Sequence, residues 1–203
     1  MTDNRAHWND AYNSKGDDVS WYQPTGGHSF EMITSAAPMR DASIIDIGSG
    51  ASRLADDLLA AGYSDLTLLD ISEVALKRTK DRLSGVADKV QWIVADISQW
   101  GPNRTWNVWH DRAVFHFLTS RAAQDSYITA LKQATTPGSA IILSTFSPTG
   151  PEKCSGLPVQ RYSADTLADR LGSDFQLYTT STEQHRTPFG TTQDFIYAGF
   201  RRR

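Results

Sequence analysis

One cysteine, Cys154, stands in a chain of 203 residues, so neither an internal disulfide nor a cysteine-built metal cage is available. Basic clusters are equally scarce. Lys and Arg number 20 against 23 Asp and Glu, leaving a net charge of −3, whereas nucleic-acid binding calls for a basic face. The Arg201-Arg202-Arg203 end is the only basic run and reads as a solvated terminus. Apolar runs are short, and none approaches the roughly 20 residues that cross a bilayer. Residues 1–13 are polar and lack the apolar centre of a signal peptide. No repeat, low-complexity tract or Pro/Gly/Ser-rich linker divides the chain, which predicts one domain over 1–203. Together these absences predict a cytoplasmic protein, monomer or homodimer, that engages neither nucleic acid nor membrane and holds no metal.

What is present is an alternation of short apolar runs with amphipathic stretches. Strands are predicted at Ser43–Ile47, 66–70, 90–95, 106–109 and 140–146. Helices are predicted between them, at 52–61 with Leu54, Leu58 and Leu59 on one face, from Ser72-Glu73 through Leu83, and at 122–134. A short helix at Ala164–Leu171 follows. Two last strands, 176–183 and 193–200, flank the turn signal Thr187-Pro188-Phe189-Gly190. Strict alternation implies an α/β fold, a parallel sheet covered by helices on both faces. The closing pair has no room for a crossover helix and should be antiparallel.

Ligands of such sheets lie at the carboxyl ends of the strands. The first strand ends in Asp46-Ile47-Gly48-Ser49-Gly50, a turn whose glycines let a ligand approach the backbone. The second ends in Asp70-Ile71, placing a carboxylate where it can accept both hydroxyls of a ribose. Asp96 closes the third, placed to accept from an adenine amino group while Ile97 packs on the ring. A lone acid could merely cap the next helix. Acids at three successive strand ends around Gly-x-Gly point instead to a nucleoside.

This constellation resembles the class I S-adenosylmethionine-dependent methyltransferases over essentially the whole chain. A dinucleotide dehydrogenase would want a third glycine where Arg53 stands. Ser52 replaces the glycine common in the methyltransferase loop, as in the branch that contains the elongation-factor lysine methyltransferases and bacterial small-molecule relatives. The N-terminus is similar to that branch too, with Trp8, Tyr12 and Trp21 at positions that touch the cofactor. The resemblance implies a Rossmann-like, mostly parallel seven-stranded sheet with an antiparallel last strand. It implies S-adenosyl-L-methionine as cofactor, residues 1–26 as a lid over it, and contacts from Ile71 and Arg112.

The fourth strand is expected to exit into residues 110–117, where relatives present polar groups toward the methyl end. Asp111 is placed to face the sulfonium or the acceptor, and His116, one helical turn beyond Arg112, is the candidate general base. Acceptor contacts are expected from the loop 147–160 and from Glu183, His185 and Thr187 at the pocket mouth, while Cys154 reads as loop packing. The expected function is methyl transfer to a small molecule; the alternatives are methyl transfer to a protein lysine and, second, a non-catalytic cofactor-binding module.

Overall fold

The computed structural model describes residues 4–15 and 19–203. The expected lid over 1–26 therefore falls partly outside the described residues, at 1–3 and 16–18. Five parallel strands come first: β1 (Ser43–Ile47), β2 (Asp65–Asp70), β3 (Val90–Val94), β4 (Val108–Arg112) and β5 (Ala140–Phe146). A small hairpin, β6 (Lys153–Cys154) and β7 (Leu157–Pro158), precedes the long pair β8 (Phe175–Arg186) and β9 (Thr192–Arg202). The main sheet runs β3-β2-β1-β4-β5-β9-β8, with β9 antiparallel to both neighbours. Six helices, α1 (Asn4–Lys15), α2 (Gly27–Ala36), α3 (Leu54–Ala60), α4 (Glu73–Leu83), α5 (Arg121–Gln133) and α6 (Ala164–Leu171), complete the described chain. None of its helices is long and apolar enough to cross a membrane.

Every residue of β1 and β5 is buried, because helices cover both faces, and this is why both strands read as unbroken apolar runs. Alternate residues enter different cores. Ile45 and Ile47 pack with Trp109, Tyr127, Leu131 and Ile141 on one face. Ile44 packs with Ile33, Leu58, Leu76 and Val108 on the other. A fully buried side chain of this size contributes about 1.5–3 kcal/mol. Helix starts are set by serines: Ser72 accepts from Ala75 N at 3.1 Å and Ser120 from Ala123 N at 3.2 Å. Ser163 and Thr166 form a reciprocal cap at α6. Caps of this kind are worth about 1 kcal/mol each.

Four expectations change. β4 starts at Val108, not at Trp106, and carries His110, Asp111 and Arg112 inside the sheet instead of beyond it. Their polar groups find partners within the fold, which a reading by hydropathy misses. Helix α2 was not anticipated, since Gly26-Gly27 at its start reads as a turn. The loop after β5 contains the β6–β7 hairpin. The terminal arginines extend β9: Arg201 donates to Ala36 O and Gly138 O, and Arg202 pairs with Asp174, so this run is structural and not a frayed end.

Candidate functional site

The turn after β1 is held from below and from both sides. Gly48 and Gly50 lie at φ +63° and +56°, where other residues are strained, and a Cβ would strike Val114 at the first and the Tyr12 hydroxyl at the second. Helix α4 fixes the far side. Thr79 Oγ1 donates to Gly50 O at 3.2 Å, and the Arg82 guanidinium reaches Ala51 O at 3.2 Å and Ser52 O at 2.5 Å while bridging to Asp56. Ser52 itself turns its hydroxyl to Leu54 N at 3.0 Å, opening α3.

Next to this turn sits the Asp70 carboxylate, accepting from Gly50 N at 2.8 Å and from Ser72 N at 2.7 Å. It therefore ties the first strand's turn to the second, a structural duty absent from the sequence reading. Burial pushes its pKa up to about 6 despite these donors. Asp96 lies two residues beyond the end of β3 and accepts from the amide and hydroxyl of Ser98 at 2.9 and 2.7 Å. Ile97 beside it is buried.

Above these strand ends lies a cleft with Gly48, Asp70, Ile71, Asp96 and Ile97 in its floor. Its roof comes from the N-terminal segment. Trp8 meets Trp21 and Phe117 edge to face at 5.6 and 5.1 Å, and Trp21 Nε1 donates to Tyr12 OH at 3.3 Å. Asn9 accepts from Ser72 Oγ at 2.7 Å, tying α1 to the strand-two end. A second cleft adjoins the first across Tyr12, Trp21, Gly48 and Arg112, and Asp46, Gly50 and His110 lie on its wall. The Arg112 guanidinium stands between the two. Its Nε donates to Tyr197 OH and its Nη1 to Trp21 O, both at 3.1 Å, while buried Nη2 has no partner among the described residues.

All the residues expected around the cofactor, Trp8, Tyr12, Trp21, Asp46, Gly48, Gly50, Asp70, Ile71, Asp96, Ile97 and Arg112, line one cleft or the other. The two catalytic candidates do not. His116 is completely buried among Phe117 and Phe146, where its Nδ1 accepts from Phe146 N at 3.3 Å. Burial, helped by the Arg112 charge, pulls its pKa down to about 3. Asp111 points to the face opposite Arg112 and accepts from Tyr127 OH at 2.7 Å, Val114 N at 2.9 Å and Phe115 N at 3.1 Å. It closes the turn after β4, and neither side chain reaches the clefts.

The late elements also depart from expectation. Glu183 accepts from Gln23 at 2.8 Å and Tyr197 at 2.9 Å, and His185 Nε2 lies 2.8 Å from Ser20 O. These two fasten the segment carrying Trp21 instead of lining a mouth. Thr187 closes the β8–β9 turn against Thr191. Cys154, expected as loop packing, lines the first cleft with Phe117, Leu118 and Phe195. No sequence signal marks that apolar group, since its members come from three separate elements. His110 could have been found, because two-residue alternation along β4 puts it on the face of Arg112.

An open sheet in this strand order, with a Gly-x-Gly turn and acids at successive strand ends, is the class I S-adenosylmethionine-dependent methyltransferase fold. Residues 44–138 match a family model described as a methyltransferase domain. No curated protein matches the sequence significantly. Among solved structures, the chain is similar to a protein studied for conversion of a disulfide bond into a thioacetal group during echinomycin biosynthesis: 19% identity, TM-score 0.78, covering 98% of this chain and 92% of that one. An S-adenosylmethionine-dependent methyltransferase of Anabaena variabilis shares 13% identity at TM-score 0.73, over 98% and 93% of the two chains. The 1,6-didemethyltoxoflavin-N1-methyltransferase of Burkholderia thailandensis, solved with 1,6-didemethyltoxoflavin and S-adenosylhomocysteine, shares 15% at TM-score 0.70, over 98% and 83%.

Proposed function

We propose that this chain is an S-adenosylmethionine-dependent methyltransferase whose acceptor is a small molecule. The first cleft takes the adenosine: Asp96 and Ile97 receive the adenine, and Asp70 the ribose hydroxyls with the lone pairs left over from Gly50 and Ser72. Arg112, with a buried and unpartnered Nη2, takes the carboxylate of the amino-acid end. A Cβ at Gly48 or Gly50 would fill the cradle, which supports a ligand in close backbone contact. Once bound, the cofactor supplies an electrophilic methyl group.

The observation that carries the acceptor class is the cover on the cleft. Trp8 and Trp21 close it from above, and Cys154, Phe117 and Phe195 wall its remaining end. Such an apolar, self-covered space suits a compact molecule and leaves little room for a protein surface. The described wall offers no free base at that end, so the chain's contribution is alignment, which can supply several kcal/mol on its own, about 7–11 in favourable cases. The neighbour from Burkholderia thailandensis, with its small heterocycle, is consistent with this class.

The test supplies cofactor carrying a labelled methyl group to a metabolite panel and to cell lysate, then follows S-adenosylhomocysteine release and separates labelled protein from labelled small molecules. Label in small molecules is expected. Label in protein lysines would replace the acceptor with a protein, and tight binding without turnover would leave a cofactor-binding module.

A further inference from the structure

Beneath the Gly-x-Gly turn, β1 and β4 place Asp46 and His110 directly opposite each other in register. Their side chains meet on the face away from Asp111, with His110 Nδ1 2.6 Å from Asp46 Oδ1. The ring is only 2% exposed, and its Nε2 has no hydrogen-bond partner among the described residues. Arg112 Nη2 shares that condition, as do Ser29 Oγ and Ser49 Oγ, and all four residues lie on the wall of the second cleft. An orphaned polar atom in a buried place is costly to the fold. Four around one cleft, with His110 and Arg112 of opposite need, describe the outline of a polar ligand.

Its chemistry follows from what each atom lacks. With Nδ1–H donated to Asp46, His110 Nε2 offers a lone pair and needs a donor. Arg112 Nη2 offers a proton and needs an acceptor. Donor and acceptor within one small cleft fit an ammonium and a carboxylate on the same carbon. Resting on the methyltransferase reading above, we infer that His110, oriented by Asp46, accepts a hydrogen bond from the α-ammonium of the cofactor while Arg112 takes its carboxylate. Asp46 is then a positioning residue, acting through the imidazole and adding the negative charge that the ammonium requires.

Calorimetric titrations with three nucleosides test this: S-adenosylhomocysteine, its analogue lacking the α-amino group, and 5′-methylthioadenosine, which lacks the amino-acid end. The parent is expected to bind the deaminated analogue about 10- to 100-fold more weakly than S-adenosylhomocysteine. His110→Asn keeps a partner for Asp46 but has nothing at the Nε2 position. It should lose a similar factor for S-adenosylhomocysteine and none for 5′-methylthioadenosine. His110→Gln, with an amide oxygen near the Nε2 position, should recover most of the loss. Equal binding of the deaminated analogue by the parent overturns the inference without any variant. So does a His110→Asn protein that weakens all three ligands alike, which marks a structural role. A parent that binds none of the three removes the methyltransferase reading, and this inference falls with it.

Discussion

Asp70 and Asp111 invite comparison. Each is a buried aspartate near the carboxyl end of a parallel strand, each accepts backbone N–H groups, and burial lifts both to about 6. Only one meets the cleft. Asp70 is the last residue of β2 and opens onto the space under the N-terminal roof. Asp111 sits one residue before the end of β4, facing α5, where the Tyr127 hydroxyl closes the last side. The pair shows that a strand-end carboxylate is assigned by the face it takes and not by its titration. A perturbed acid is as readily a lock as a ligand group.

Asp70→Ala gives the largest expected effect. Losing two charge-assisted hydrogen bonds to the ribose should weaken S-adenosylhomocysteine about 10²–10³-fold in calorimetry. Because Gly50 N and Ser72 N are also left without an acceptor, the free protein should lose about 1–2 kcal/mol in urea unfolding. Unchanged affinity would reduce Asp70 to the same kind of lock as Asp111.

Asp111→Ala should do the reverse. Tyr127 OH and two buried amides lose their partner, and unfolding should cost about 3 kcal/mol less, while affinity per folded molecule stays at the parent value. Weakened binding by a protein that still melts cooperatively would place Asp111 at the cleft after all and dissolve the contrast.

Titration sharpens the comparison further. Raised above their unfolded value, both carboxyls bind protons more tightly in the folded chain, so they favour folding at acid pH and lose that contribution as pH rises from about 4 to about 6. His116 acts oppositely. Its folded pKa of about 3 lies below the unfolded 6.5, so its contribution is full above 6.5 and drains away as pH falls toward 3. Against His116→Phe, the parent should therefore lose up to about 1.4 kcal/mol per pH unit across that window, measured by urea unfolding at successive pH values. Parallel pH curves would mean that the ring is open to protons, and so to the cleft.

The smallest effect is expected at the roof. Trp8→Ala removes an edge-to-face partner of Trp21 and Phe117 and should weaken S-adenosylhomocysteine about 3- to 10-fold, with little change in the melt. A collapse of the melt would make Trp8 a core residue and the N-terminal segment part of the sheet's foundation.

What could be read from the sequence was whatever the sheet dictates locally. β1 and β5 announce themselves as continuous apolar runs because both faces are covered, and Gly48, Gly50, Asp70 and Asp96 follow from knowing where such strands end. Hydropathy puts β4 too early because Trp106 and Trp109 bound an apolar run, whereas the strand's polar half is satisfied by distant partners: Asp46 for His110, Tyr127 for Asp111, Tyr197 for Arg112. Those pairings are tertiary and leave no periodic trace. From the misplaced boundary came the wrong faces for Asp111 and His116. The stretch from Ala113 to Ser120, between β4 and α5, is in any case turn and bend, where neither a two-residue nor a 3.6-residue rhythm applies.

The indole rings give the N-terminal roof an optical consequence. The chain holds six tryptophans. Trp106 and Trp109 are sealed in the core with Trp100 tilted against them, and Trp92 donates its Nε1 proton to Ala87 O. Trp8 and Trp21 alone border the clefts, so a ligand that enters replaces water beside these two and leaves the emission of the other four as a steady background. The protein thus carries a built-in fluorophore at its binding mouth, and occupancy is readable from its own light without dye or label.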